Sequence, residues 1–537
     1  MKKIGALIIT LLLAVTLVGC NKDKTYAKAK FNNFENLGTS IKFDLKLEDP
    51  DQEVTSRIYI QIKEDGSSTV KEELTFTIKE LEEEDKDNIE FKNLTVGKNY
   101  TVFVKATIGE KILTIGTKSF KANEPVEKTI QTVDEFFAIS QNPNGHYTLG
   151  ANLDFTGREE DIKQNLIRTF SGIFNGNNKT ISNYKIDSTN TSIGLFGQLS
   201  SGAVVKDLII DTLTIEPVSK VTGSRYVGIL FGQAQSNSTK ISNIIIKNSS
   251  IRLAINSESN YVKVGLLGGV TTAKINDVNI IDSNIDITHE RIGTTRVGGL
   301  VGEIKSNVSS IQRVKVEANI NVSVEQKADA GLRGEKNALY IGGIIGDASE
   351  VLINNVISKT NINVDKLDYV IASESNLSDE NKKNPKDINL EANIGGLFGQ
   401  SMSVEPKDMI HSGNIKVGAY TLDNQVKEKN ENDEEVIKEL KYTYKMSLNV
   451  GNLIGQTGIY NSSVKNLVRV GGLQEVAAQS NLVTLKTGTL FGISRNTDYN
   501  FSKNYGYINV SDVLEDIKEF TSLEEVFGTD HWIIENK

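Results

Sequence analysis

Val297-Gly-Gly-Leu-Val-Gly302 decides the fold, because the same pattern returns along most of the chain. Earlier copies are Ile193-Gly-Leu-Phe-Gly197, Val227-Gly-Ile-Leu-Phe-Gly232 and Val264-Gly-Leu-Leu-Gly268. Later ones are Ile341-Gly-Gly-Ile-Ile-Gly346, Ile394-Gly-Gly-Leu-Phe-Gly399, Val450-Gly-Asn-Leu-Ile-Gly455 and the looser Thr487-Gly-Thr-Leu-Phe-Gly492. Self-similarity at about 20–50 residues is the mark of a solenoid or propeller. After most copies comes an Ile/Val-rich run carrying Asn or Asp, such as Val205-Lys-Asp-Leu-Ile-Ile and Ile241-Ser-Asn-Ile-Ile-Ile. These runs are short, β-branched and without helical spacing, so each repeat is expected to be one coil of strands stacked in parallel on the next. The glycines suit sharp bends or close approach of neighbouring coils. The Asn and Asp residues suit corners, where they satisfy bent backbone and stack as a ladder.

The lead-in to this array is Tyr147-Thr-Leu149 through Asp154-Phe155, then Phe170-Ser-Gly172-Ile-Phe174-Asn-Gly176 and Ile181-Ser-Asn183. Together with the repeats it resembles GLUG-motif right-handed β-helices, an arrangement also found in the N-terminal, non-catalytic region of the zinc-dependent immunoglobulin A protease family. The resemblance runs over roughly residues 129–510 and implies a right-handed parallel β-helix. Thr132-Val-Asp-Glu135 has capping-box spacing ahead of Phe136, Phe137 and Ile139, which predicts a short helix over the first coil. Asp512 to Phe520 and Ser522 to Phe527 read as helices closing the other end, with Trp532 nearby.

Upstream, alternating runs at Ile41-Phe43-Leu45, Ile58-Ile60-Ile62, Leu74-Phe76-Ile78 and Val102-Val104-Ala106 predict an antiparallel sandwich. The run from Phe91 to Ala106 resembles the late strands of fibronectin type III modules, which implies a corner hydrogen bond for Tyr100. The family's core tryptophan is missing, since the single Trp is Trp532, so another immunoglobulin-like variant stays open. Glu80 to Asp87 is expected to be a solvated acidic loop.

Lys2 and Lys3 followed by the apolar run Ile8 to Val18 form an export signal too short to span a bilayer comfortably. It ends Leu17-Val18-Gly19-Cys20, which resembles the lipobox of bacterial lipoproteins. That resemblance implies cleavage after Gly19 and acylation of Cys20 by diacylglycerol and palmitate; an ordinary secretory signal is the alternative. The expected organisation is therefore a signal peptide over 1–19, a lipidated tether over 20–30, a fibronectin- or Ig-like domain over 31–122, the β-helix over 123–510 and a helical cap over 511–537. The mature chain would sit on the outer face of a bacterial cell membrane.

The 537 residues carry 60 basic and 69 acidic side chains, a net charge of −9, which does not favour nucleic acid as a partner. One Cys excludes a disulfide framework and a Cys-based zinc cluster. A metalloprotease needs His-Glu-x-x-His, but His289-Glu290 is followed by Arg-Ile-Gly, so the protease activity of the resembled family is not carried over. Polygalacturonases are matched only by Asn496-Thr497-Asp498, with no adjacent aspartates elsewhere. No cofactor or metal is expected.

The long repeats gain length in one phase, at Glu325 to Leu339, Asp365 to Glu391 and Asp423 to Lys445. Insertions in the same phase of consecutive coils are expected to emerge along one edge, where solenoids often bind partners. The candidate binding residues there are Glu325, Arg333, Lys336, Asp368, Tyr369, Lys382, Lys386, Glu431, Glu435, Lys441, Tyr442 and Tyr444. The expected role is non-catalytic binding or adhesion to an extracellular protein or glycan. The alternatives are a polysaccharide lyase or hydrolase, and a non-catalytic relative of the protease scaffold.

Overall fold

The computed structural model describes residues 27–508 apart from 37–39, 83–88, 96, 123–125, 257–260, 292, 326–335, 371–387, 424–425, 430–434, 439–443, 459–464, 471–473, 477–482, 489–490 and 495–504. The expected export signal, with Gly19 and Cys20, and the expected C-terminal cap lie outside the described residues. No helix among those described is long and apolar enough to cross a membrane. The chain divides into two compact units, Met1–Val126 and Glu127–Lys537.

The first unit has β1 (Lys28–Asn36), β2 (Ile41–Glu48), β3 (Val54–Glu64), β4 (Glu72–Thr77), β5 (Ile89–Phe91), β6 (Asn99–Ile108) and β7 (Lys111–Lys121). They form two antiparallel sheets, ordered β1-β2-β5 and β4-β3-β6-β7. Period-two alternation puts Ile41, Phe43, Ile58, Ile60, Ile62, Val102, Val104 and Ala106 into one buried cluster. Tyr100 is fully buried, and its hydroxyl accepts the Thr95 N–H at 2.9 Å. The acidic stretch is corrected in part, because Ile78–Glu82 is a short helix, α1, and not strand followed by loop. Thr77 and Glu80 cap each other: the Glu80 N–H reaches Thr77 Oγ1 at 3.3 Å and the Thr77 N–H reaches Glu80 Oε2 at 2.9 Å.

The second unit is mainly β and built largely from parallel sheets, with 25 strands in one and eight in another among the described residues. This is the architecture expected of stacked coils. Each full coil contributes a strand that ends in the first motif glycine and a strand that begins at the residue before the closing glycine. Two further segments follow, and a long connection leads to the next motif. Register holds from coil to coil, with Phe196, Phe231, Gly268, Val301, Ile345, Phe398, Ile454 and Phe491 in one column. A second column runs Val205, Ile241, Ile275, Ile311 and Ile353. Inward residues of both kinds join one continuous core from Ile130 to Ile454.

The column also corrects one motif boundary. Gly268 stands under Phe231, so the closing glycine of the third copy is Gly269. Closing glycines are required by close approach and not by a left-handed backbone. A Cβ on Gly232, Gly269, Gly302, Gly346, Gly399 or Gly455 would lie 2.4–2.6 Å from an amide nitrogen of the preceding coil. The carbonyl oxygen of the preceding closing glycine would be 2.6–2.8 Å away.

The corners behave as the Asn/Asp pattern predicts. Asp207, Asn243, Asp277, Arg313, Asn355 and Asp408 occupy one corner with φ between 53° and 56°. Asn and Asp tolerate this conformation better than most residues because their short side chains hydrogen-bond locally. Asn243 Nδ2 donates to Asp207 Oδ1 at 2.8 Å, and Asn248 to Asp211 at 2.9 Å, so the corners form ladders across coils. Arg313 departs from the pattern and lays its guanidinium on both oxygens of Asp277, each at 2.6 Å.

The first coil is covered by the helix α2 (Val133–Phe137), as the capping box predicts. Thr132 Oγ1 accepts the Glu135 N–H, and Glu135 Oε2 accepts the Gln131 N–H at 2.7 Å. Phe136 is fully buried against the rings of Phe155, Phe174 and Tyr184. A further helix, α3 (Glu159–Gln164), joins the coils at this end.

Candidate binding edge

Each long insertion leaves the coil from the end of one strand and returns at the start of the strand that leads into the next glycine motif. The departing strands are Val301–Glu325, Asn361–Val370 and Ile415–Asp423. Glu325 pairs with Asp368, Asp368 with Thr421, and Tyr369 with Leu422, all in parallel register. The returning strands begin at Lys336, Ile388 and Tyr444, with Lys336 beside Asn389, and Ile388 beside Tyr444. The strands flanking all three insertions therefore end in register at one corner of the stack.

Away from this corner, where the strand Asn361–Val370 begins, side chains form a row from coil to coil. Asn284, Asn319 and Asn361 are joined at 2.9 and 3.1 Å, and the Asn414 N–H reaches Asn361 Oδ1 at 3.0 Å. At the rim Lys366 Nζ meets Glu325 Oε1 at 3.1 Å, and this hydrogen bond, with the Glu325 charge, holds the lysine pKa above its ordinary value. Without that cation, Glu325 and Asp368 would be like charges on adjacent strands.

The candidates do not all converge. Glu435 lies on a two-stranded hairpin, Val426–Lys429 with Glu435–Lys438, opposite Lys429. The hairpin was not foreseen from the sequence, and it pairs with no other described strand. Lys336, Tyr369 and Tyr444 are placed by their strands alone. Arg333, Lys382, Lys386, Glu431, Lys441 and Tyr442 lie outside the described residues.

A second polar arrangement went unnoticed in the sequence. Residues just before the motif face residues just after its closing glycine, along a buried seam. Arg296 Nε lies 2.7 Å from Glu303 and 2.7 Å from Asp347, and Lys263 Nζ lies 3.1 Å from Glu303. Burial works against the Arg296 charge, but Glu303 and Asp347 outweigh it and hold the pKa above its ordinary value. The seam continues in amides: Asn393 donates to Gln456 at 2.9 Å, and Asn449 to Asn393 at 2.7 Å. Tyr261 and Tyr340 flank Arg296, their ring centres 5.7 and 5.5 Å from the guanidinium carbon. Around Arg296 two cations meet two carboxylates, with Arg296 8%, Glu303 2% and Asp347 3% exposed, and a third carboxylate, Glu391, accepts from Asn393 at 3.0 Å. So dry a cluster, with its central charges opposed, is suited to fixing coil register rather than to meeting a substrate. The only trace in the sequence is positional: Lys263 and Arg296 sit directly before Val-Gly, and Glu303 and Asp347 directly after the closing glycine, where most other copies carry Tyr, Asn or Gln. Among the described residues no group of three or more His, Cys, Asp or Glu is arranged to hold a metal ion.

No protein-family model matches the chain. It is similar to Halomucin of Haloquadratum walsbyi, at 28% identity over 236 residues, which covers 39% of this chain. The chain spans only 2% of the length of that curated relative. Among solved structures, IgA1 Protease is matched over 72% of this chain and 30% of that one, with 14% identity and a TM-score of 0.27. A likeness that distant brings no activity to this chain.

Proposed function

We propose that the chain is a lipid-anchored bacterial surface protein whose work is non-catalytic binding of an extracellular protein or glycan along the insertion edge of a right-handed β-helix. In this reading Cys20 carries the acyl chains, which hold the protein at the membrane because each buried methylene contributes about 0.8 kcal/mol. The N-terminal unit is then a fibronectin-like spacer, a reading supported by its two-sheet strand order and by the buried Tyr100 that reaches back to Thr95. The observation that carries the proposal is the register of the flanking strands, which brings Glu325, Asp368 and Thr421 side by side. Insertions rooted in register present a continuous surface at low cost to the scaffold, since loop growth adds little closure entropy.

Cleavage of a polysaccharide would need an open cleft with converging carboxylates. Glu303 and Asp347 do come together, but they are buried and neutralised by Arg296 and Lys263. The test is a glycan and extracellular-matrix array probed with the chain from residue 21 onward, then with residues 326–335, 371–387 and 424–443 replaced by short turns. Loss of binding on trimming is expected. Binding of undiminished strength by the trimmed protein would reject the insertion edge as the recognition surface.

A further inference from the structure

At the head of the stack, away from the three insertions, a surface pocket of about 540 Å³ is lined by Lys163, Arg168, Asp187, Ser188, Asn190 and Val218 among others. Three coils build it. Lys163 comes from the end of α3, Arg168 from the strand Ile167–Phe170, and the remaining residues from the connections that follow the strands Lys185–Ile186 and Thr214–Ile215. Those connections occupy the phase in which later coils carry their long insertions.

The charges in the pocket are unequal. Asp187 is engaged twice, its Oδ1 accepting the Val218 N–H at 3.0 Å and its Oδ2 lying 3.6 Å from Lys163 Nζ. Arg168 is exposed and makes no ion pair with the described residues. An otherwise acidic chain thus presents a guanidinium with its donor fork open, beside a lysine already shared. A planar fork of this kind matches a carboxylate in two parallel hydrogen bonds. The rim is made of small hydroxyls and amides, and Val218, 88% exposed, supplies an apolar contact beside them. Hydroxyl and amide partners around one cation, with a C–H face next to them, are complementary to a polyol bearing one acid group. The volume lies within the ordinary range of small-ligand sites, about 300–1,000 Å³.

We propose that this pocket binds a carboxylated sugar residue, a hexuronate or a sialic acid, with its carboxylate on Arg168 and its hydroxyls on the Ser188–Asn190 connection. The site goes beyond the insertion edge in both residues and chemistry. Removing the three insertions leaves it intact, so either idea can fail without the other.

The test is calorimetric or saturation-transfer titration of the full chain with glucuronate, galacturonate and sialic acid, with glucose and an N-acetylated dipeptide as controls. Saturable binding of at least one carboxylated sugar is expected, weakening with added salt and absent for glucose. Arg168→Gln should weaken it by about tenfold or more, and Arg168→Lys by less, with unchanged circular dichroism because the side chain is exposed. Three results would overturn the proposal: no saturable binding of any carboxylated sugar, equal binding by Arg168→Gln, or equal affinity for the dipeptide.

Discussion

Gly302→Ala places a methyl carbon 2.5 Å from the Val264 nitrogen and 2.7 Å from the Gly269 oxygen. Backbone on both sides cannot yield cheaply, so a loss of about 3 kcal/mol is expected in urea unfolding. Gly202→Ala is the control: its φ is +81° with nothing within 4 Å, and its cost should stay near the roughly 1–2 kcal/mol of a left-handed backbone. The corner carboxylates add a pH dependence of definite sign. Asp154 is held below its ordinary pKa by hydrogen bonds from Asn183 and Thr156. Asp211 is held low although burial opposes it, because Asn248, Lys247 and Thr212 hydrogen-bond its charged form. A carboxyl whose folded pKa lies below the unfolded value, about 3.9, stabilises above that pH and ceases to as pH falls through the folded pKa. The urea midpoint should therefore drop between pH 5 and pH 3, and Asp211→Asn should reduce that drop.

At the scale of elements, the cap helix is the sharpest case. Thr132→Ala should cost about 1 kcal/mol, through the lost N-cap, and Phe136→Ala about 3–5 kcal/mol, through the cavity it leaves. The seam makes a different prediction. Arg296→Met leaves Glu303 and Asp347 buried with one cation fewer, and about 3–5 kcal/mol should be lost. Replacing Lys263, Arg296, Glu303 and Asp347 together by apolar residues should recover most of that loss. These elements also mark what the sequence made legible. The helix over 133–137 was readable because a capping box is local, as were the corners, where Asp207 and Asn243 announce a left-handed backbone by residue type. The box at Thr77 and Glu80 is masked in the sequence because Ile78 continues the period-two run of Leu74 and Phe76. The seam is hidden in the sequence for a different reason. Arg296 and Asp347 are 51 positions apart and meet only once successive coils are in register.

For the whole molecule, register is what links the fold to the proposed function. One slipped coil would move Glu325, Asp368 and Thr421 out of line and separate the roots of the insertions. The glycine spacing made the stack readable, and the shared phase of the three length increments made the edge readable. The side chains that would touch a partner were much less so, because charged residues in long connections carry no periodicity that ties them together; Glu435 proved to sit on a hairpin of its own. Disulfide trapping reports on the register directly, in a Cys20→Ser background that leaves no other thiol. Neighbouring in-register strands stand about 4.8 Å apart, within the Cα span a disulfide accepts, whereas strands two coils apart stand about 9.6 Å apart, beyond its limit of about 7 Å. Cysteines at Glu325 and Asp368, or at Asp368 and Thr421, should close rapidly and completely under mild oxidation, while Glu325 with Thr421 should remain reduced. Failure of both neighbouring pairs to close, or ready closure of the distant one, would contradict the stacked edge from which the proposed function follows.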